Sequence, residues 1–149
     1  DLGRSIIGMV VRAGAPKPDI STVAALRQVL LNAKSVAMSS STSGVYLTTT
    51  LFPKLGIAEQ MAPKTTMQGA VLVGRGEAEI GLQQVSELLP IQGTTFVGTI
   101  PQDVQYVTTY AGAVIASSTQ IEAAKRLIAF LGSEASAAAI TKSGMEPAR

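Results

Sequence analysis

Val36-Ala37-Met38-Ser39-Ser40-Ser41-Thr42-Ser43-Gly44-Val45-Tyr46 is the stretch that decides how this chain is read. Apolar residues continue a short strand that starts at Lys34, and five hydroxyl residues follow without a break. After Gly44 the spacing predicts a helix from about Val45 to Leu55, with Gly56 as its stop. A helix start presents amides with no intrahelical acceptor and a partial positive charge. Neighbouring hydroxyls add donors, and a glycine lets another group approach the backbone closely. An anion or a polar carbonyl group can be held at such a junction without any cationic side chain. Clusters of Ser, Thr and Gly are also common in ordinary loops and caps, and the segment taken alone favours that plainer reading.

Working outward, short β-rich runs alternate with amphipathic helical segments, the pattern of an α/β domain. Ile6–Val11 reads as a buried strand that ends at the proline-bearing loop Ala13–Pro18. Ser21 is the expected cap of a helix over Val23–Ala33, where Val23, Leu26, Val29 and Leu30 recur at helical spacing. Further strands are expected at Lys64–Met67, Glu79–Gln84, Thr94–Val97 and Tyr106–Ile115, with short helices at Ala70–Val73 and Ser86–Leu89. Thr119 and Glu122 fit a capping box that opens a helix to about Leu131, and a second helix covers Ser133–Lys142.

The 149 residues carry 12 basic and 10 acidic side chains, with no His, Cys or Trp. That composition removes thiolate nucleophiles, imidazole bases, Cys/His zinc sites and haem attachment. The acidic residues are spread too thinly to suggest a carboxylate-bound metal, and no cofactor is expected. No apolar run reaches the 18 or so residues of a membrane span. A net charge of +2 with scattered Tyr and Phe disfavours nucleic-acid binding. Gly74-Arg75-Gly76 reads as a turn, because a phosphate-binding fingerprint needs more glycines directly after a strand. No G-x-S-x-G or S-x-x-K motif offers an activated serine. The start Asp1-Leu2-Gly3-Arg4 lacks both an initiator Met and the features of a signal peptide, so a processed, truncated or excised chain is expected.

Four segments, Val11–Thr22, Ser39–Tyr46, Gly76–Leu88 and Ala123–Ser133, together resemble the bacterial extracellular solute-binding proteins of the molybdate-binding-protein-like group, with a type II periplasmic binding fold. The resemblance implies two α/β lobes joined by two crossing strands, closing on a small ligand that is passed to the permease of an ABC importer. It implies a three-layer α/β lobe around a mixed, mostly parallel sheet of about five strands, flanked by helices. Within a single α/β domain over 1–149, about 16–105 would be the second lobe and 4–12 with 106–115 the hinge strands. The helices of 119–143 would pack on a first lobe that is missing from this chain. Half a cleft would bind weakly. The stripe Ile121, Ala124, Leu127, Ile128 and Leu131 would then be exposed and open to self-association, giving a homo-oligomer or marking a fragment.

On this resemblance the chain is no enzyme but a periplasmic or extracellular receptor for a small anion, a molybdate-like oxyanion or an organic acid, with no nucleic-acid partner. The alternative is the effector-binding domain of a transcription regulator with the same fold, or a small-molecule-binding fragment with no transport role. The expected ligand-facing residues are Ser41, Thr42, Ser43, Gly44 and Val45 at the helix start, and Gln84 ahead of Gln83 at a strand end. Tyr110 on the return strand completes the set, and Arg12 is a candidate partner for a carboxylate.

Overall fold

The computed structural model describes residues 1–148. The chain forms two compact units, one of Asp1–Ser5 with the residues from Val107 onward, the other of Ile6–Tyr106. Strand β1 (Gly3–Ser5) belongs to the smaller unit, and β2 (Ile7–Arg12) opens the larger one. Helix α1 (Val23–Asn32) and β3 (Val36–Met38) follow. Next comes a continuous helical run made of α2 (Thr42–Tyr46), a π-helical turn (Leu47–Leu51) and α3 (Phe52–Lys54). Then come α4 (Ala58–Met61), β4 (Thr65–Thr66), α5 (Val71–Gly74), β5 (Ile80–Gln84), α6 (Val85–Leu88) and β6 (Thr94–Thr99).

The larger unit is built on one five-stranded sheet in the order β4-β3-β5-β2-β6. β3 pairs in parallel with β4 and β5, whereas β2 pairs antiparallel with β5 and β6, so the pairings divide evenly between the two senses. Alternation along the strands decides which helices cover which face. Met9, Val11, Val36, Met38, Ile80 and Leu82 point into the larger core, where they meet Leu26 and Leu30 of α1 and Leu47, Leu51 and Phe52 of the helical run. Val10 and Ala37 point the other way, against Leu72 and Val73 of α5 and Leu88 of α6. A sheet with both faces covered gives three layers.

In the smaller unit β7 (Thr108–Tyr110), β1 and β8 (Glu146–Pro147) form an antiparallel sheet in the order β7-β1-β8. Helices α7 (Ile121–Leu131) and α8 (Glu134–Lys142) complete the unit. No residue of α7 is buried: Leu127 and Phe130 are each 57% exposed, and Leu131 is exposed too.

Several local expectations change. Thr22, not Ser21, caps α1, its hydroxyl accepting from the Ala25 amide at 3.1 Å, while the Ser21 amide donates to Asp19 Oδ1. The Ser21 hydroxyl, and after it the hydrogen bond from that amide, hold the Asp19 carboxyl below its ordinary range. The capping box at Thr119 does not form. The helix begins at Ile121, so Glu122 falls one position short of the reach back to the cap and pairs instead with Lys125 at 3.0 Å. The strand expected over Tyr106–Ile115 shrinks to Thr108–Tyr110, because β1 offers only three residues to pair with.

Candidate functional site

Parallel pairing of Met38 with Leu82 brings the carboxyl ends of β3 and β5 to the same edge of the sheet. Crevices outside the carboxyl ends of parallel strands are where open α/β sheets place ligands. Here that edge carries Ser39–Ser41 and Gln84. The helix starts at Thr42, three residues earlier than the hydroxyl run suggests, with Ser41 as its cap. Ser39 takes up the turn, its Oγ lying 2.6 Å from Ser41 Oγ and 3.4 Å from Ser43 Oγ.

An early start changes which residues face outward. Thr42, Val45, Tyr46, Thr49 and Thr50 fall at i, i+3, i+4, i+7 and i+8, one face of a helix. With Ser40, Ser41 and Tyr106 they line an open concavity of about 440 Å³. Ser43 and Gly44 turn inward and are fully buried. Of the five loop residues expected at the ligand, Ser41, Thr42 and Val45 therefore line the concavity, and Ser43 and Gly44 sit beneath it. The space beside Gly44 is filled from within, since a Cβ there would lie 1.7 Å from the Ser39 carbonyl oxygen.

The π-helical turn helps to present this face. In a π turn the backbone pairing shifts by one residue, as the Phe52 amide reaching the Leu47 carbonyl records. Thr48 Oγ1 donates to the Gly44 carbonyl at 2.9 Å, and Thr49 Oγ1 donates to that of Val45 at 2.7 Å, so hydroxyls serve carbonyls within the turn. Residues missed by the sequence reading are Tyr46, Thr49, Thr50, Ser40 and Tyr106. The first three were within reach had the helix been started at Thr42. Tyr106 had no sequence signal, because its place depends on contact with a residue sixty positions earlier. Its ring stacks on Tyr46 with centroids 4.9 Å apart and planes 23° apart, and it is 37% exposed. Two of the three tyrosines are thus neighbours in space although sixty residues apart in the chain.

Gln84 ends β5, pairs with Ile7 and is 2% exposed. Gln83 is committed elsewhere: its Oε1 accepts from the Ala70 amide at 3.0 Å and its Nε2 donates to Glu87. Tyr110 lies in the smaller unit on β7, opposite Gly3, and is not among the lining residues. Arg12 is removed by register. Ile7 pairs with Gln84 and Val11 with Ile80, which puts Arg12 about 16 Å along β2 from the serine edge. Its guanidinium packs instead over Gly76, where a Cβ would come within 2.9 Å of Nη1.

No charged side chain lines the concavity. It offers the hydroxyls of Thr42 and Thr50 and the Ser41 hydroxyl, all neutral donors, beside a helix start whose amides have no intrahelical acceptor. A concavity of about 430 Å³ in the smaller unit has Glu134 in its lining, which opposes an anion. Tyr46 donates its hydroxyl to the Val104 carbonyl at 2.8 Å, and burial pushes its ionisation above the ordinary value of 10.0. As the pH climbs the unfolded chain therefore ionises first. Tyr46 stabilises the fold fully below about pH 10, and that contribution is lost as the pH rises through the higher folded value. In urea titrations Tyr46→Phe is expected to lose about 1 kcal/mol at neutral pH. The gap to the parent should close above pH 10, and a gap that stays constant to strongly alkaline pH would contradict the assignment.

The profile of the bacterial extracellular solute-binding proteins matches residues 1–146. The chain belongs to that family. An aconitate isomerase from Pseudomonas sp is 47% identical over 151 residues, covering 99% of this chain and 58% of its own length. Two solved solute-binding structures share the fold. One is assigned as the substrate-binding domain of a molybdenum ABC transporter from Clostridium difficile, with TM-score 0.69, 18% identity, and 100% of this chain and 66% of that one covered. The other is a periplasmic thiamin-binding protein, with TM-score 0.63, 17% identity, and 98% and 52% covered. This family member thus spans a little over half to about two thirds of the length of these relatives.

Proposed function

We propose that this chain supplies one wall of a ligand cleft in a periplasmic solute-binding protein, and that the ligand is a small polycarboxylate of the aconitate class. The observation that carries the reading is the uncharged, hydroxyl-lined concavity at the carboxyl ends of β3 and β5. The relative's name supplies the ligand class. A carboxylate seated there accepts hydrogen bonds from Thr42, Thr50, Ser41 and the helix-start amides. Each hydroxyl bond to a charged oxygen is worth about 1.5–3 kcal/mol. Delivery to an importer's permease completes the reading. On the same reading the chain is the second lobe with its C-terminal helices, and the exposed face of α7 around Leu127, Phe130 and Leu131 seats further polypeptide.

A second reading, that the whole protein isomerises its ligand, is favoured by the name of the 47% identical relative. It runs against the expectation of a non-enzyme. Moving a double bond requires a base within reach of a carbon-bound proton. The concavity is lined by Ser, Thr, Val and Tyr, so that base would be supplied from elsewhere in the polypeptide.

Calorimetry on the intact protein tests both. Titration with cis-aconitate, trans-aconitate, citrate, sulfate and molybdate should show a carboxylate bound most tightly. Thr42→Val combined with Thr50→Val should weaken it by about a hundredfold or more. Unchanged affinity in the double variant would remove the concavity from the cleft. Proton spectra of each aconitate isomer with catalytic amounts of protein separate the readings, since conversion marks an isomerase and tight binding without conversion marks a receptor.

A further inference from the structure

We propose that Gln105 is the positioning residue of the concavity, the group that holds Tyr106 in place against Tyr46. The inference rests on the concavity being the ligand site. A primary amide has two N–H donors and two acceptor positions on its oxygen, and Gln105 uses all four. Its Oε1 accepts from the Ile7 amide at 2.7 Å and from the Tyr106 amide at 3.0 Å. Its Nε2 donates to the Ile7 carbonyl at 2.9 Å and to the Ile100 carbonyl at 3.2 Å. Pairing with both polar groups of one residue is what a neighbouring strand does in a ladder. β6 ends at Thr99 and the Ile100 amide still donates to the Ile7 carbonyl at 3.1 Å, so the side chain of Gln105 completes the pairing by reaching the Ile7 amide as well.

The flanking residues carry the consequence to the ligand wall. Val104 on one side accepts the Tyr46 hydroxyl, and Tyr106 on the other stacks on the Tyr46 ring. Residues 104–106 are thereby tied to β2 by an amide and to the concavity's helix by one ring and one hydroxyl. A partly exposed ring with one aromatic neighbour holds its orientation only if its backbone is held. A ring fixed before the ligand arrives spares the ordering that binding would otherwise require.

This chain has three tyrosines and no tryptophan, so the near-ultraviolet circular dichroism difference between each variant and the parent reports on the tyrosine environments it disturbs. Tyr106→Leu gives the size of the stacked pair's signal. Gln105→Met, matched in length but without the amide, is expected to lose most of that signal with unchanged far-ultraviolet spectra, and to bind aconitate about tenfold more weakly in the intact protein. Gln105→Asn keeps the amide one methylene short and should show the same loss if the Met variant does not fold. A parental tyrosine band in either folded variant overturns the proposal. A lost band with parental affinity upholds the positioning and takes away the concavity's part in binding.

Discussion

Gly44→Ala is expected to unfold or severely destabilise the larger unit, by about 3 kcal/mol or more, and to erase ligand binding along with it. The added carbon would lie 1.7 Å from the Ser39 carbonyl oxygen and 2.9 Å from Met67 Cε. A flexible side chain such as Met67 can move, whereas the Ser39 carbonyl belongs to the backbone of the turn joining β3 to α2. Relief requires that turn to open, which carries Ser41 and Thr42 away from the positions that line the concavity. Urea denaturation followed by circular dichroism measures the loss. A variant with a parental midpoint would show that the turn is far looser than its geometry. Stability and binding are therefore linked at one position, because the glycine that shapes the site from beneath is also the one that lets the strand meet the helix.

Lys64→Met should be the next most damaging change, lowering stability by about 2–3 kcal/mol and the melting temperature by roughly 5–10 °C. Lys64 Nζ donates to the carbonyls of Leu30, Leu31 and Ala33 at 2.7, 2.8 and 2.7 Å, so all three of its donors are engaged. These carbonyls close α1, where the last turn has no amides left to offer and where a positive charge is favoured. Methionine keeps the length and the apolar stem but leaves the three oxygens without their donor. Lys64→Arg, whose planar group cannot present three donors from a single nitrogen, should fall between the two. A Met variant melting within a degree of the parent would mean that water replaces the ammonium at no loss.

Much of the architecture can be read from local pattern. The continuous apolar run of Ile7–Val11, the 3.6 period of Val23–Asn32 and the strand–hydroxyl–glycine–helix run from Val36 to Tyr46 each require only neighbours a few residues away. Ser and Thr mislead because their hydroxyls compete with the backbone, so a run of them looks like a loop. Here the same chemistry supports a helix: Ser39 organises the turn, and Thr48 and Thr49 serve carbonyls one turn back. Features that rest on distant pairs leave no such trace. The stack of Tyr106 on Tyr46, the grip of Lys64 on α1 and the pairing of Gln105 with Ile7 all depend on the register of the finished sheet. Register also disposes of Arg12, whose charge suits a carboxylate but whose strand runs away from the serine edge.

Because Gln105 binds both backbone groups of Ile7, the place where the chain enters the larger unit and the place where it leaves are immediate neighbours. The span from Ile6 to Tyr106 is thus a continuous insert in the chain order, with its ends already fastened together. Recombination can lengthen, shorten or exchange such an insert while asking little of the polypeptide on either side, since its two ends lie one glutamine side chain apart.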